Sequence, residues 1–210
     1  MKHYVFLNVY YLKEKHSLRI KTFIIALAMV AMPSLLPAPD LPPGSDSFSY
    51  LEKIRVEILK KDLKDYQIKY SHFKKVLSKH ESRNNWKEYN RYGYIGKYQF
   101  GRSALNATGY SHITLEDFKK NPHIFPETDQ EKAMDILLQL NESALNDQIK
   151  NYVGYTLCDT IRITRMGILA AAHLSGPANV KEFLESSGRE NPRDRMGTHL
   201  SDYFYIFSRL

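Results

Sequence analysis

The stretch from His80 to Gly101 gathers the chain's single Trp, four of its fifteen Tyr and three of its ten Gly around one acid, Glu81. Sugar rings stack on aromatic faces, and their hydroxyls need amide and hydroxyl partners, so this mixture is what a carbohydrate site requires. Trp86 and Tyr94 are candidate stacking faces, and Tyr98 and Gln99 are candidate positioning groups. A carboxyl among them can protonate a glycosidic oxygen and relieve the oxocarbenium-like centre that follows. Plainer readings stand beside these. Glu81 could be a solvated helix-end carboxylate, Trp86 and Tyr94 core packing, Gln99 a backbone partner in a tight turn, and Glu88 a surface charge rather than a second acid.

Glu81 needs an element to hold it. Apolar residues recur at helical spacing through Leu51, Ile54, Ile58 and Leu63, and again through Ile68, Phe73, Val76 and Leu77. Two helices are therefore expected, the second ending near Lys79-His80-Glu81. A carboxyl at a helix C-terminus meets the negative end of the dipole, which raises its pKa and suits a proton donor. Further along, helices are expected at Arg102–Ala107, after the cap Thr114 with Asp117, and after Pro126 through Leu140. Another turn or two is expected over Asn146–Val153. Thr164 can cap an apolar stretch to Leu174, Ser175-Gly176-Pro177 forces a break, and helices follow at Ala178–Glu185 and Thr198–Phe207. Only Tyr92–Phe100 carries a hairpin pattern. The fold class is mainly α, with at most a small β-hairpin beside the site.

Two segments precede this region. Residues 22–32 are an apolar run of eleven preceded by Lys13, Lys15, Arg19 and Lys21. As helix it would rise about 16 Å against roughly 30 Å of hydrocarbon, so residues 1–32 read as a signal peptide or an N-terminal membrane anchor. Ala31 or Ala38 could mark a cleavage site. Residues 33–48 are a Pro-rich linker, and 49–210 form the folded domain. The expected location is outside the cytoplasm, in the periplasm or cell envelope, with membrane anchoring through the leader as the variant.

The net charge of +7 suits an anionic polymer, and residues 49–210 keep 25 basic against 20 acidic side chains. No nucleic-acid motif accompanies that charge. A single cysteine, Cys158, excludes an intramolecular disulfide and reads as a small core residue. The eight His are dispersed, without His-Glu-x-x-His or a Cys/His cluster, so no metal is expected. The chemistry requires no cofactor.

Glu81-Ser82, the aromatic turn segment and Gly96-Lys-Tyr98-Gln99-Phe100 together resemble the lysozyme-like superfamily, nearest to its lytic transglycosylase and goose-type lysozyme branch. In that branch a Glu-Ser pair ends a helix and a Gly-x-x-Gln segment follows. A second match, Gly167 to Leu184, resembles the later helix with its Ala-Tyr-Asn-Ala-Gly core, except that His173 and Leu174 stand at the Tyr-Asn pair. Thr198 to Tyr203 resembles a Glu-Thr-x-x-Tyr segment whose Tyr approaches the catalytic Glu. The resemblance covers about residues 68 to 207. It implies a monomer that cleaves the β-1,4 bond between N-acetylmuramic acid and N-acetylglucosamine in peptidoglycan. Glu81 would be the acid/base, and Ser82, Trp86, Tyr94, Tyr98, Gln99, His173 and Tyr203 would line the substrate. Phage-type members place an Asp in the turn region after the Glu; here that region offers Asn90, with Glu88 nearby. The substrate's own N-acetyl group could stand in for a second carboxylate. The rival reading is a wall-binding or assembly module that keeps the fold without turnover. A basic nucleic-acid-associated helical protein ranks lower.

Overall fold

The computed structural model describes residues 47–157 and 160–210, with side chains from 51 onward. The leader, most of the linker and Cys158 lie outside the described residues. The chain divides into two compact units, residues 1–64 and 65–210.

Helix α1 runs unbroken over Ser47–Ser82, where the sequence pattern suggests two helices. The intervening Lys-Asp-Tyr-Gln contains neither Gly nor Pro, so nothing interrupts the backbone hydrogen bonds. Up to residue 64 the helix leaves Leu51, Ile58 and Leu63 more than half exposed. In the second unit Phe73 and Leu77 are fully buried.

Seven more helices follow: α2 (Arg102–Ala107), α3 (Leu115–Lys120), α4 (Glu127–Ala144), α5 (Asn146–Tyr152), α6 (Arg165–Ser175), α7 (Pro177–Glu185) and α8 (Leu200–Phe207). Their ends follow local chemistry. The Thr114 hydroxyl accepts the Asp117 N–H and donates to its carboxylate, and the Thr164 hydroxyl accepts the Gly167 N–H. Gly176, at φ +82°, ends α6 and lets Pro177 begin α7 in a new direction.

Helix α6 is the centre of the core: residues 166–172 are all buried, with α4, α7 and α8 packed around it. Gly167 lies against α8: a Cβ there would sit 3.2 Å from the Thr164 hydroxyl and in ordinary contact, 3.4 Å, with the Phe204 ring. Phe183 of α7 stacks on Phe204 at 4.9 Å, and Phe73 of α1 meets Phe207 edge-on at 5.7 Å. Each such buried ring contributes about 1.5–3 kcal/mol of apolar burial.

The protein is thus mainly helical with one small antiparallel sheet among the described residues. That sheet is β1 (Thr156–Leu157) with β2 (Ile161–Arg162), not the Tyr92–Phe100 segment. The latter forms isolated bridges only, Tyr89 with Ile95 and Ile95 with Phe100. Turns at Gly93 and Gly96 use up the residues a ladder would need. No helix among the described residues is long and apolar enough to cross a membrane.

Candidate functional site

Glu81 lies in the last turn of α1, and the way the helix stops fixes where its side chain goes. Arg83 (φ +57°) and Asn84 (φ +66°) turn the chain left-handed, and the Asn84 N–H reaches back to the Ser78 carbonyl at 3.1 Å. The Ser82 hydroxyl donates to the Lys97 carbonyl at 2.7 Å, tying the helix end to the 95–100 loop.

That loop is anchored from α4 by a buried amide. Gln130 Oε1 accepts the Lys97 N–H at 2.6 Å, while Nε2 donates to the carbonyls of Trp86 at 2.8 Å and Phe125 at 2.7 Å. Gly96 makes room for it, because a Cβ there would lie 2.5 Å from Gln130 Oε1. Glu131 adds a charged tie: Lys74 at 2.8 Å, Lys97 at 2.9 Å and the Tyr98 hydroxyl at 2.8 Å converge on its carboxylate. Burial acts to raise the Glu131 pKa, but the hydrogen bonds from Lys74, Lys97 and Tyr98 outweigh it and hold the carboxyl below its ordinary value.

Within this frame the Glu81 carboxyl has a side-chain exposure of only 8%. Burial pushes its pKa up to about 7, against the pull of a 2.5 Å hydrogen bond from the Tyr203 hydroxyl and of nearby His80; the charge of Asp194 adds to the rise. Desolvation, rather than the helix dipole, is the main cause. Tyr203 comes from α8, and His80 packs edge-on against its ring at 5.2 Å. Near neutral pH, Glu81 is therefore poised between proton donor and acceptor.

His173 Nε2 lies 3.7 Å from Glu81 Oε1 but bonds elsewhere, to the Tyr98 carbonyl at 2.8 Å. A carbonyl only accepts, so the proton sits on Nε2 and Nδ1 is left as a buried acceptor without a partner among the described residues. Burial pushes the His173 pKa down to about 4. The ring is neutral at physiological pH and gives Glu81 no counter-charge.

Glu81 opens onto a surface cleft lined with Tyr94, Gln99, His173, Leu174, Asp194 and Met196. Of the residues the sequence singled out, Glu81, Tyr94, Gln99 and His173 meet there, and Tyr203 reaches the site through its bond to Glu81. Gln99 is buried at φ +49°; its Oε1 accepts from Asn90 at 3.0 Å and its Nε2 donates to the Gly96 carbonyl at 2.9 Å. Its turn role and its place on the cleft wall coexist.

Ser82, Trp86 and Tyr98 do not line this cleft. The Ser82 hydroxyl is engaged with Lys97, Trp86 packs edge-on against His123 at 5.2 Å under Lys87, and Tyr98 is buried with its hydroxyl on Glu131. Asn90 is a turn organiser, its Oδ1 accepting the N–H groups of Tyr92 and Tyr94. Glu88 lies exposed with its carboxylate on Asn85.

Sequence reasoning missed Asp194 and Gln130. Asp194 sits in Asp-Arg-Met-Gly-Thr, which reads as a turn, and its Oδ1 does accept the N–H groups of Met196 at 2.9 Å and Thr198 at 2.7 Å. Nothing in that string signals a cleft 113 positions from Glu81. Gln130 reads as one more polar residue in an acidic first turn; only its burial reveals it. Among the described residues no group of three or more His, Cys, Asp or Glu could hold a metal ion. No family model, curated protein or solved structure matches the chain.

Proposed function

We propose that the protein is a peptidoglycan-cleaving glycosidase of lysozyme-like type, acting on the N-acetylmuramic acid to N-acetylglucosamine bond with Glu81 as general acid. One observation carries the reading: a buried carboxyl with a pKa near 7, oriented by Tyr203, on the wall of an open cleft. An ordinary carboxyl is ionised at neutral pH and has no proton to give, whereas this one keeps a large fraction of its protons there.

Protonation of the bridging oxygen by Glu81 lets the C1–O bond break, and the Tyr203 hydroxyl stabilises the carboxylate that remains. Tyr94 offers a ring and Gln99 a spare amide hydrogen toward a bound sugar. The exposed cations Arg193 and Arg195 stand on either side of Asp194 in the chain and suit an anionic wall polymer. Export to the cell envelope belongs to the same proposal, since the substrate lies there.

The test is mass spectrometry of soluble products after the full chain is incubated with purified sacculi, with Glu81→Gln alongside. Muropeptides released by the wild type and lost by at least about 10²-fold in the variant support the reading. Equal sacculus binding by both proteins, with product from neither, would replace it with the binding-module alternative.

A further inference from the structure

Asp194 is the second carboxyl of the cleft, and it enters from a part of the chain remote from both α1 and the aromatic loop. The 193–199 segment is closed by an isolated bridge between Arg193 and His199, with the Asp194 N–H bonded to the Thr198 carbonyl at 3.0 Å. Two backbone amides hold Oδ1, which fixes the plane of the carboxylate. Among the described residues both hydrogen bonds to this carboxylate fall on Oδ1 and none on Oδ2. The side chain lines the same cleft as Glu81, and its charge is felt at both Glu81 and Tyr203. The other candidates for a second group are engaged elsewhere: Glu88 is off the cleft wall, and Asn90 is committed to the turn and to Gln99.

We propose that Asp194 is the base that takes a proton from the attacking water, so that the cleft hydrolyses its substrate rather than closing an anhydro ring. The proposal rests on the glycosidase reading of Glu81 and deepens it. In the step, Glu81 gives its proton to the bridging oxygen and the C1–O bond breaks. The water oxygen bonds to C1 as its proton passes to Asp194. The products are a reducing-end sugar and the free alcohol of the departing sugar, and solvent exchange moves the proton from Asp194 back to Glu81. Atoms and charge balance with water as the sole co-reactant.

The experiment uses the full chain on purified sacculi, with borohydride reduction before mass spectrometry to separate reducing from anhydro ends. Wild type should give reducible ends. Asp194→Asn keeps an oxygen for the Met196 and Thr198 amides, so its melting temperature should stay near wild type while kcat falls about 10²–10⁴-fold at a KM within a few-fold. Adding azide to Asp194→Ala should restore turnover and yield a glycosyl azide, a signature that a purely structural loop residue would not produce. Anhydro ends from the wild type, or an Asp194→Asn variant within about threefold of wild-type kcat, would overturn the Asp194 assignment and leave Glu81 standing. Wild type indistinguishable from Glu81→Gln overturns both together. Should Asp194→Asn fold poorly, the end-group chemistry of the wild type decides.

Discussion

A carboxyl that ionises near pH 7 in the folded protein and near its ordinary 4.5 when unfolded makes stability fall as pH rises between those values. Over that window the folded state keeps a proton that the unfolded state has released. Glu81→Gln removes the cost while leaving an oxygen for the Tyr203 hydroxyl. The variant should therefore melt higher than wild type at pH 8, by on the order of 1–3 kcal/mol, and show little gain at pH 4.5. Parallel thermal melts at the two pH values check it, and equal gains at both would contradict the burial argument. Tyr203→Phe acts in the opposite sense on the acid. Without the donated bond the charged form loses its partner, and the Glu81 titration should move upward from about 7 when followed by carboxyl NMR.

At the scale of elements, the site depends on a loop held open by what is absent from Gly96. A methyl at this position meets the Gln130 carboxamide and occupies a left-handed backbone at φ +81°. Gly96→Ala should cost about 2–4 kcal/mol, combining the backbone penalty with loss of the part-buried hydrogen bond from the Lys97 amide to Gln130. Chemical denaturation measures that cost, and a loss below about 1 kcal/mol would mean the loop has slack. Here the sequence is informative in one direction only. Thr114, Thr164, Gly176 and Pro177 announce their turns and caps because those preferences are local. Gln130 announces nothing, and Ser82 is noticed but assigned to substrate instead of Lys97, since their partners lie 33 and 15 residues away.

For the whole molecule, a net charge of +7 and the exposed guanidinium groups of Arg193 and Arg195 set a salt dependence. Turnover on intact sacculi at low substrate should fall several-fold between about 0.05 and 0.5 M salt, as the screening length shrinks from over 10 Å to a few ångströms. Activity on a short soluble fragment of the same glycan, which carries few charges, should change far less. A flat response on sacculi would remove charge attraction from the account.

The sequence by itself determined the helical class, most helix ends and the identity of Glu81 as the acid to examine. Apolar periodicity and capping act within a few residues, so a linear reading captures them. It also placed a hairpin where the chain makes turns and split a helix that runs on, because pairing and continuity depend on neighbours. Only the tertiary structure decided that Glu81 is buried, that Tyr203 reaches it across 122 residues, that Trp86 faces His123 instead of the cleft, and that Asp194 completes the wall. Those outcomes follow from the packing of α8 against α1 and α6, which brings distant side chains into a low-dielectric space where a carboxyl's proton affinity is set by its surroundings.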